Sequence, residues 1–451
     1  MASVSRCARQ VQRLVGAAYR RLASTVTAPG PGRDPCVPPV NRPDLPSLAR
    51  TGRHAYSALP AGAPQRIWRA ERVVDNRDSG NVVLTWDCGE VAQFPYVWLR
   101  DSCLCLDCYH PSALSRKLRI DQLDVNIAPL SVQNDLEAQE VVVTWPDGHV
   151  SRFPHDWLGQ RQFTPQQLEE RKKQATPMTV LWNRATMESS LLKVDYQDLL
   201  GDLGVLREAL HRLISHGLVV VRNSPTRFGV VEKIASHVGL IKVTHYGTTF
   251  KVTNKVDANN LAYTNETLAP HTDQPYYEHT PGVQMLHCIS QHQGSGGENT
   301  LTDSFYVAQL IRQQRPDLFK LLSVMPFEFF DVGVESEQYH DSPFHKVQEH
   351  TMFRTDREGK VTQVCFNNPS RSYRLNVPLE SVKPMFEGLK MFQDLSMQEE
   401  NHVLYKMVNG DVLVFNNRRV LHGRRGYTVT ADSTRTLEGG YIDWDELLGA
   451  D

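Results

Sequence analysis

The chain has 451 residues, with 49 lysines and arginines against 51 aspartates and glutamates and a formal net charge of −2. This balance, with no basic run in the body of the chain and no interleaving of basic and aromatic residues, excludes an extended nucleic-acid footprint. No stretch of about 18 apolar residues occurs, which excludes a membrane-spanning helix, and the length predicts two domains, each with its own core.

Residues 1–30 contain Arg6, Arg9, Arg13, Arg20 and Arg21 and no acid, the first acid being Asp34. Val11, Leu14, Val15, Ala18, Tyr19 and Leu22 fall on one helical face. An arginine-rich, acid-free amphipathic start predicts a mitochondrial transit peptide over residues 1–30 and a matrix location. Residues 31–65 are rich in Pro, Gly and Ala and read as a linker without fixed structure.

Residues 66–160 contain an internal repeat, in which Val83–Leu99 matches Val142–Leu158. Each copy reads as strand, tight turn at Gly89 or Gly148, strand, then a Phe-Pro exit into Trp-Leu. The prediction is a small β domain of two hairpins. The first copy runs into Cys103, Cys105 and Cys108. That is metal-ligand spacing rather than a disulfide framework, and it suits a reducing compartment. With one imidazole the three thiolates would complete a tetrahedral Zn(II) site, structural because no position is left for water. His149, His110 and His155 are the local candidates for that imidazole. Cys88 reads as an ordinary thiol beside a turn.

Residues 161–195 predict a connecting segment with a charged helix capped at Thr164. The remainder, 196–451, reads as the second domain. Leu203, Leu206, Leu210, Leu213 and Ile214 fall at helical spacing, and Gly217–Arg222 and Gly282–Ile289 read as buried strands. Gly294–Gly297 lacks the Gly-Lys-Ser/Thr of a phosphate loop and reads as a turn. His271 and Asp273 are two apart, so on an extended strand they share a face. Among 17 histidines only His271 has an acid two residues on. After the turn Asn409-Gly410-Asp411 and the buried strand Val412–Phe415, His422 ends an apolar segment. It is expected on another strand of the same sheet. Two imidazoles and one carboxylate, with open positions, favour non-haem Fe(II) and reaction with O2. Arg435 is expected to return close to His422, where a guanidinium can hold a carboxylate bidentately. The implied co-substrate is a 2-oxo diacid whose keto-acid end chelates the iron. Strand patterns with His-x-Asp early and His late fit a mainly β fold with flanking helices, a double-stranded β-helix or jelly roll.

From about residue 82 onward the chain resembles the γ-butyrobetaine and trimethyllysine dioxygenase family of carnitine biosynthesis. Trp98–Tyr109, Val256–Thr264, His271–Asp273, Val420–Arg424 and Leu437–Tyr441 carry the resemblance. Asp257–Asn260, Phe366–Asn368 and Leu437–Tyr441 are more similar to the γ-butyrobetaine branch. The resemblance implies hydroxylation of γ-butyrobetaine to L-carnitine with 2-oxoglutarate as co-substrate, ascorbate as reductant, and a homodimer. It favours His149 as the zinc ligand. It also implies that Tyr246, Phe250, Tyr263 and Tyr441 cage the substrate's quaternary ammonium by cation–π attraction, and that Asn260 and Asn367 meet its carboxylate. Position 250 departs from the family's usual Trp. The family's γ-butyrobetaine enzyme is usually cytosolic in animals, which stands against the leader. Trimethyllysine hydroxylation is the alternative activity, and a silent zinc-domain assembly protein the alternative class.

Overall fold

The computed structural model describes residues 66–175, 178–253, 264–335, 342–428 and 435–449. The expected transit peptide and linker lie outside the described residues, as do Asn260 and Tyr263. Two related antiparallel sheets come first: β1 Ala70–Asn76, β2 Asn81–Trp86 and β3 Val91–Pro95, then β4 Ser131–Asp135, β5 Glu140–Thr144 and β6 Val150–Pro154. The repeat predicts two hairpins; each in fact carries a third strand on its N-terminal side. Alternation along β2 and β5 buries one face of each sheet. Val82, Leu84 and Trp86 meet Val141, Val143 and Trp145 in one core, closed by Phe94 and Phe153. The turns are equivalent. Gly89 N–H donates to the Trp86 carbonyl and Gly148 N–H to that of Trp145, at φ of 82° and 79°, a left-handed backbone that glycine adopts without steric cost. Each Phe-Pro exit opens a short helix, α1 Tyr96–Asp101 or α2 His155–Gly159, and the rings of Trp98 and Trp157 lie 5.4 Å apart. Helix α3, Pro165–Ala175, follows, with Thr164 Oγ1 accepting from Gln167 N–H.

The main strands of the larger domain are β7 Leu192–Asp195, β8 Leu218–Arg222, β9 Thr249–Thr253, β10 Leu268–His271, β11 Val283–Ser290, β12 Asn299–Asp303, β13 Pro326–Glu335, β14 Ser342–Thr351, β15 His402–Tyr405, β16 Val412–Asn416, β17 Val420–Arg424 and β18 Thr436–Ile442, and Phe353–Thr355 and Val361–Val364 form a further short pair. One sheet runs β9-β18-β11-β16-β8-β7 and the facing sheet β10-β17-β12-β15, while β13 and β14 pair as a separate ribbon. This is the expected double-stranded β-helix.

Side-chain alternation explains the layers. Leu218, Val220, Leu286, Leu413 and Phe415 of the large sheet face Leu301, Val403 and Val420 of the small one. Val219, Val221, Met285, Val412 and Val414 turn outward beneath α4 Leu203–His216 and α5 Val230–Val238. Leu203 departs from the predicted apolar stripe: it is exposed at the first position of α4, where Asp202 accepts from the N–H groups of Gly204 and Val205. The outer face of the small sheet is covered by α6 Ser304–Gln314, α7 Pro316–Val324 and α8 Leu379–Met397. The turn at 417–419 carries the chain from the large sheet to the small one. Arg419, wholly buried, fixes it with two hydrogen bonds to Asp303 and others to the carbonyls of Ser215 and Val180.

Candidate active site

Strands β10 and β17 are antiparallel neighbours, and their register sets His271 directly opposite His422. The two imidazole rings are 4.3 Å apart. Asp273 reaches them differently from the sequence expectation. β10 stops at His271; Thr272 then exchanges hydrogen bonds with Phe366, and Gln274 takes φ of 55°. Asp273 is thus presented from a bend rather than a strand. Asn417 locks that bend, accepting from Asp273 N–H at 2.7 Å and donating to the carbonyls of Asp273 and Pro281. Asp273 Oδ1 lies 3.1 Å from His271 Nε2 and 3.5 Å from His422 Nε2.

The surroundings prepare these three groups as lone-pair donors. His271 Nδ1 is 2.9 Å from the Ala269 carbonyl, which places the ring hydrogen there and leaves Nε2 bare. Burial, and after it the proximity of His271, pushes His422 down to about 3, so it is neutral near pH 7. Burial acts to raise Asp273, but His422, His271 and the Tyr441 hydroxyl outweigh it and hold the carboxyl well below the usual range. Both outer hydrogen bonds fall on Oδ2, from Tyr441 OH at 2.6 Å and Gln284 Nε2 at 2.7 Å. Oδ1 is left to face the imidazoles. Two imidazoles and one oriented carboxylate, with ligand atoms within 4.8 Å of one another, fit an Fe(II) facial triad.

Arg435 precedes β18 and is buried, and its Nε has no hydrogen-bond partner among the described residues. It feels the charge of Arg424, which stands two residues beyond His422 on β17, and of Tyr427 and Cys288. Burial first, then Arg424, lowers it to about 10. A buried guanidinium with an unmatched N–H is costly, and an anionic ligand removes that cost.

Tyr246, Phe250 and Tyr441 form a continuous row of rings, 5.9 Å from the first to the second and 5.3 Å from the second to the third. Phe250 lies over Gly439, its partner in the β9–β18 ladder; a Cβ there would sit 2.2 Å from Phe250 Cζ. Asn367 is laced to the metal bend: Nδ2 donates to the Thr272 carbonyl and Oδ1 accepts from Ser370 N–H. One of its two amide hydrogens is used in this way. Sequence reasoning missed Gln284, Asn417, His245 and Asp331, which bond or flank the residues of this site. Gln284 is the one with a legible signal, since it is the polar residue in an otherwise apolar strand start.

In the small domain, His149 Nε2 is 3.3, 3.6 and 3.5 Å from the sulfurs of Cys103, Cys105 and Cys108. Tetrahedral Zn(II) with ordinary Zn–S and Zn–N bonds separates such atoms by about 3.6 Å, so the four groups fit a Cys3His zinc-type site. Arg100, at the end of the first repeat, donates to Cys108 Sγ and lies 3.6 Å from Asp147 in the second repeat's turn. His155 instead bonds Ala70 N–H and Asn134, and His110 is exposed beside Ser112. Cys88 is exposed and apart from the cluster.

Fold and site together define a 2-oxoglutarate-dependent dioxygenase. Residues 174–441 match the model of the taurine catabolism dioxygenase TauD, TfdA family, and residues 73–159 match that of the γ-butyrobetaine hydroxylase-like N-terminal domain. The chain is 38% identical to γ-butyrobetaine dioxygenase of Homo sapiens over 81% of its own length and 92% of that protein's. It is 32% identical to mitochondrial trimethyllysine dioxygenase of Rattus norvegicus over 79% and 82%. A taurine dioxygenase structure from Burkholderia xenovorans aligns over 59% of this chain and 91% of that one at 15% identity, with a TM-score of 0.41. The chain belongs to the γ-butyrobetaine and trimethyllysine dioxygenase family.

Proposed function

We propose that the protein hydroxylates γ-butyrobetaine to L-carnitine, converting 2-oxoglutarate to succinate and CO2. The observation that carries this reading is Tyr441, whose ring continues the aromatic row while its hydroxyl bonds Asp273. A cation held on that row is thereby placed at a fixed reach from the metal carboxylate. The greater identity to the γ-butyrobetaine enzyme, 38% against 32%, favours the same substrate.

His271, Asp273 and His422 would hold Fe(II), which with 2-oxoglutarate and O2 supplies the oxidising power, ascorbate serving as reductant. The chemistry at the metal belongs to the cofactor; the chain binds and aims. Tyr246, Phe250 and Tyr441, with Tyr263, receive the trimethylammonium, which offers no hydrogen-bond donor and is attracted by ring faces. Asn367, with Asn260, receives the substrate carboxylate. Gripping both ends presents the middle of the molecule, the carbon β to the carboxylate, toward the metal. Arg435 binds the far carboxylate of 2-oxoglutarate as a charge-assisted pair. Cys103, Cys105, Cys108 and His149 hold a structural Zn(II) away from this chemistry. The working form is a homodimer in the mitochondrial matrix, the leader being the reason for that compartment over the cytoplasm.

Supplied with Fe(II), 2-oxoglutarate and γ-butyrobetaine, the wild-type protein should form carnitine and succinate in equal amounts. Asp273→Ala should keep its circular-dichroism spectrum and lose both products. Undiminished turnover by that variant contradicts the reading.

A further inference from the structure

Behind the aromatic row lies a carboxylate that the proposed function does not use. Asp331, on β13, accepts from the Tyr246 hydroxyl at 3.4 Å and lies 3.3 Å from His245 Nε2. The Tyr277 hydroxyl accepts from His245 N–H at 3.0 Å and lies 2.9 Å from His245 Nδ1. With its proton given to Nδ1, the ring hydrogen of His245 falls on Nε2, the atom facing Asp331. That Nε2 is buried and has no hydrogen-bond partner of good geometry. The imidazole also packs against Tyr246, with ring centroids 3.9 Å apart and the planes tilted by 40°. Lys346 stands directly across the β13–β14 ladder from Asp331. Its ammonium does not pair with Asp331; it lies over the Tyr277 ring, 5.3 Å from the centroid.

We propose that Asp331 is a specificity-determining residue for the cationic end of the substrate. It acts through Tyr246 by two routes. Its charge adds a fixed negative potential behind the ring that meets the ammonium. Its hydrogen bond, with the packed His245, holds the Tyr246 ring in place and makes that ring richer in electrons, which strengthens cation–π attraction. A neutral group of the same shape would gain from neither route. The inference rests on the reading that Tyr246 receives a quaternary ammonium. A carboxylate roughly 10 Å from a cation, at an effective dielectric near 20, changes affinity by about tenfold.

The test compares γ-butyrobetaine with 5,5-dimethylhexanoate, in which carbon replaces the charged nitrogen. Binding is measured by anaerobic calorimetry on the full chain loaded with Fe(II) and 2-oxoglutarate. Asp331→Asn should weaken γ-butyrobetaine about tenfold and leave the neutral isostere within about twofold, with the KM for 2-oxoglutarate unchanged. Lys346→Met should tighten γ-butyrobetaine and not the isostere. Equal losses for both ligands in Asp331→Asn would make the residue merely structural and overturn the proposal, as would an undiminished preference for the cation. If the wild-type protein itself fails to prefer the cation, it is the ammonium-cage reading that falls.

Discussion

Replacing Tyr441 by phenylalanine keeps the ring of the aromatic row and removes one donor from Asp273. The Tyr441 hydroxyl and Gln284 Nε2 share Oδ2 of that carboxylate, at 2.6 and 2.7 Å. A hydrogen bond to a charged group contributes about 1.5–3 kcal/mol, and loss of such a supporting bond lowers metal affinity about 10–100-fold. Gln284 remains in Tyr441→Phe, so the lower end of that range applies. The assay is the Fe(II) dependence of succinate formation at saturating 2-oxoglutarate and γ-butyrobetaine. Half-saturation by iron should rise about tenfold, while the KM for γ-butyrobetaine changes by less than about threefold. Tyr441→Leu, which removes the ring face as well, should raise both quantities. An unchanged iron dependence in the phenylalanine variant would refute the idea that Tyr441 supports the metal carboxylate. An unchanged KM for γ-butyrobetaine in the leucine variant would remove its ring from the substrate pocket.

Other perturbations test neighbouring parts. Cys105→Ser should lower zinc content and the thermal midpoint together, because structural zinc binding is coupled to folding; zinc-free wild-type protein would end that assignment. Gly439→Ala puts a Cβ 2.2 Å from Phe250 Cζ, and forcing that ring aside should cost about 1–3 kcal/mol. It should raise the KM for γ-butyrobetaine more than that for 2-oxoglutarate, and equal rises would count against Phe250 as a pocket residue. Arg419→Leu leaves Asp303 buried without its partner, a loss of about 3–5 kcal/mol measurable by urea unfolding. A loss below about 1 kcal/mol would show that the turn into β17 is held by other contacts.

What the sequence made legible was local in character. The Cys103–Cys108 cluster declares itself by spacing, and the repeat brings His149 into view because both turns share one backbone geometry. The pairing of His271 with His422 needs only two strand patterns and one sheet. The missing parts act across long sequence separations. Asn417 grips Asp273 over 144 residues, and nothing in an Asn-Asn turn specifies its distant partner. Asp331 bonds Tyr246 over 85 residues, from a ribbon outside both main sheets. Asp273 was expected on a strand from the two-residue spacing. The expectation fails because Thr272 leaves the ladder to bond Phe366, and the bend still delivers the carboxylate to the imidazoles. Arg435 was expected close to His422; it is buried within electrostatic reach of Arg424, two residues on along β17.

The central claim is the choice of substrate, and it is tested most directly by steady-state turnover of γ-butyrobetaine and of trimethyllysine on one preparation of the full-length protein. Hydroxylated product is counted by mass spectrometry against succinate. A kcat/KM for γ-butyrobetaine at least about tenfold above that for trimethyllysine, equivalent to about 1.4 kcal/mol in transition-state binding, is the result predicted here. A preference of the same size for trimethyllysine would contradict it.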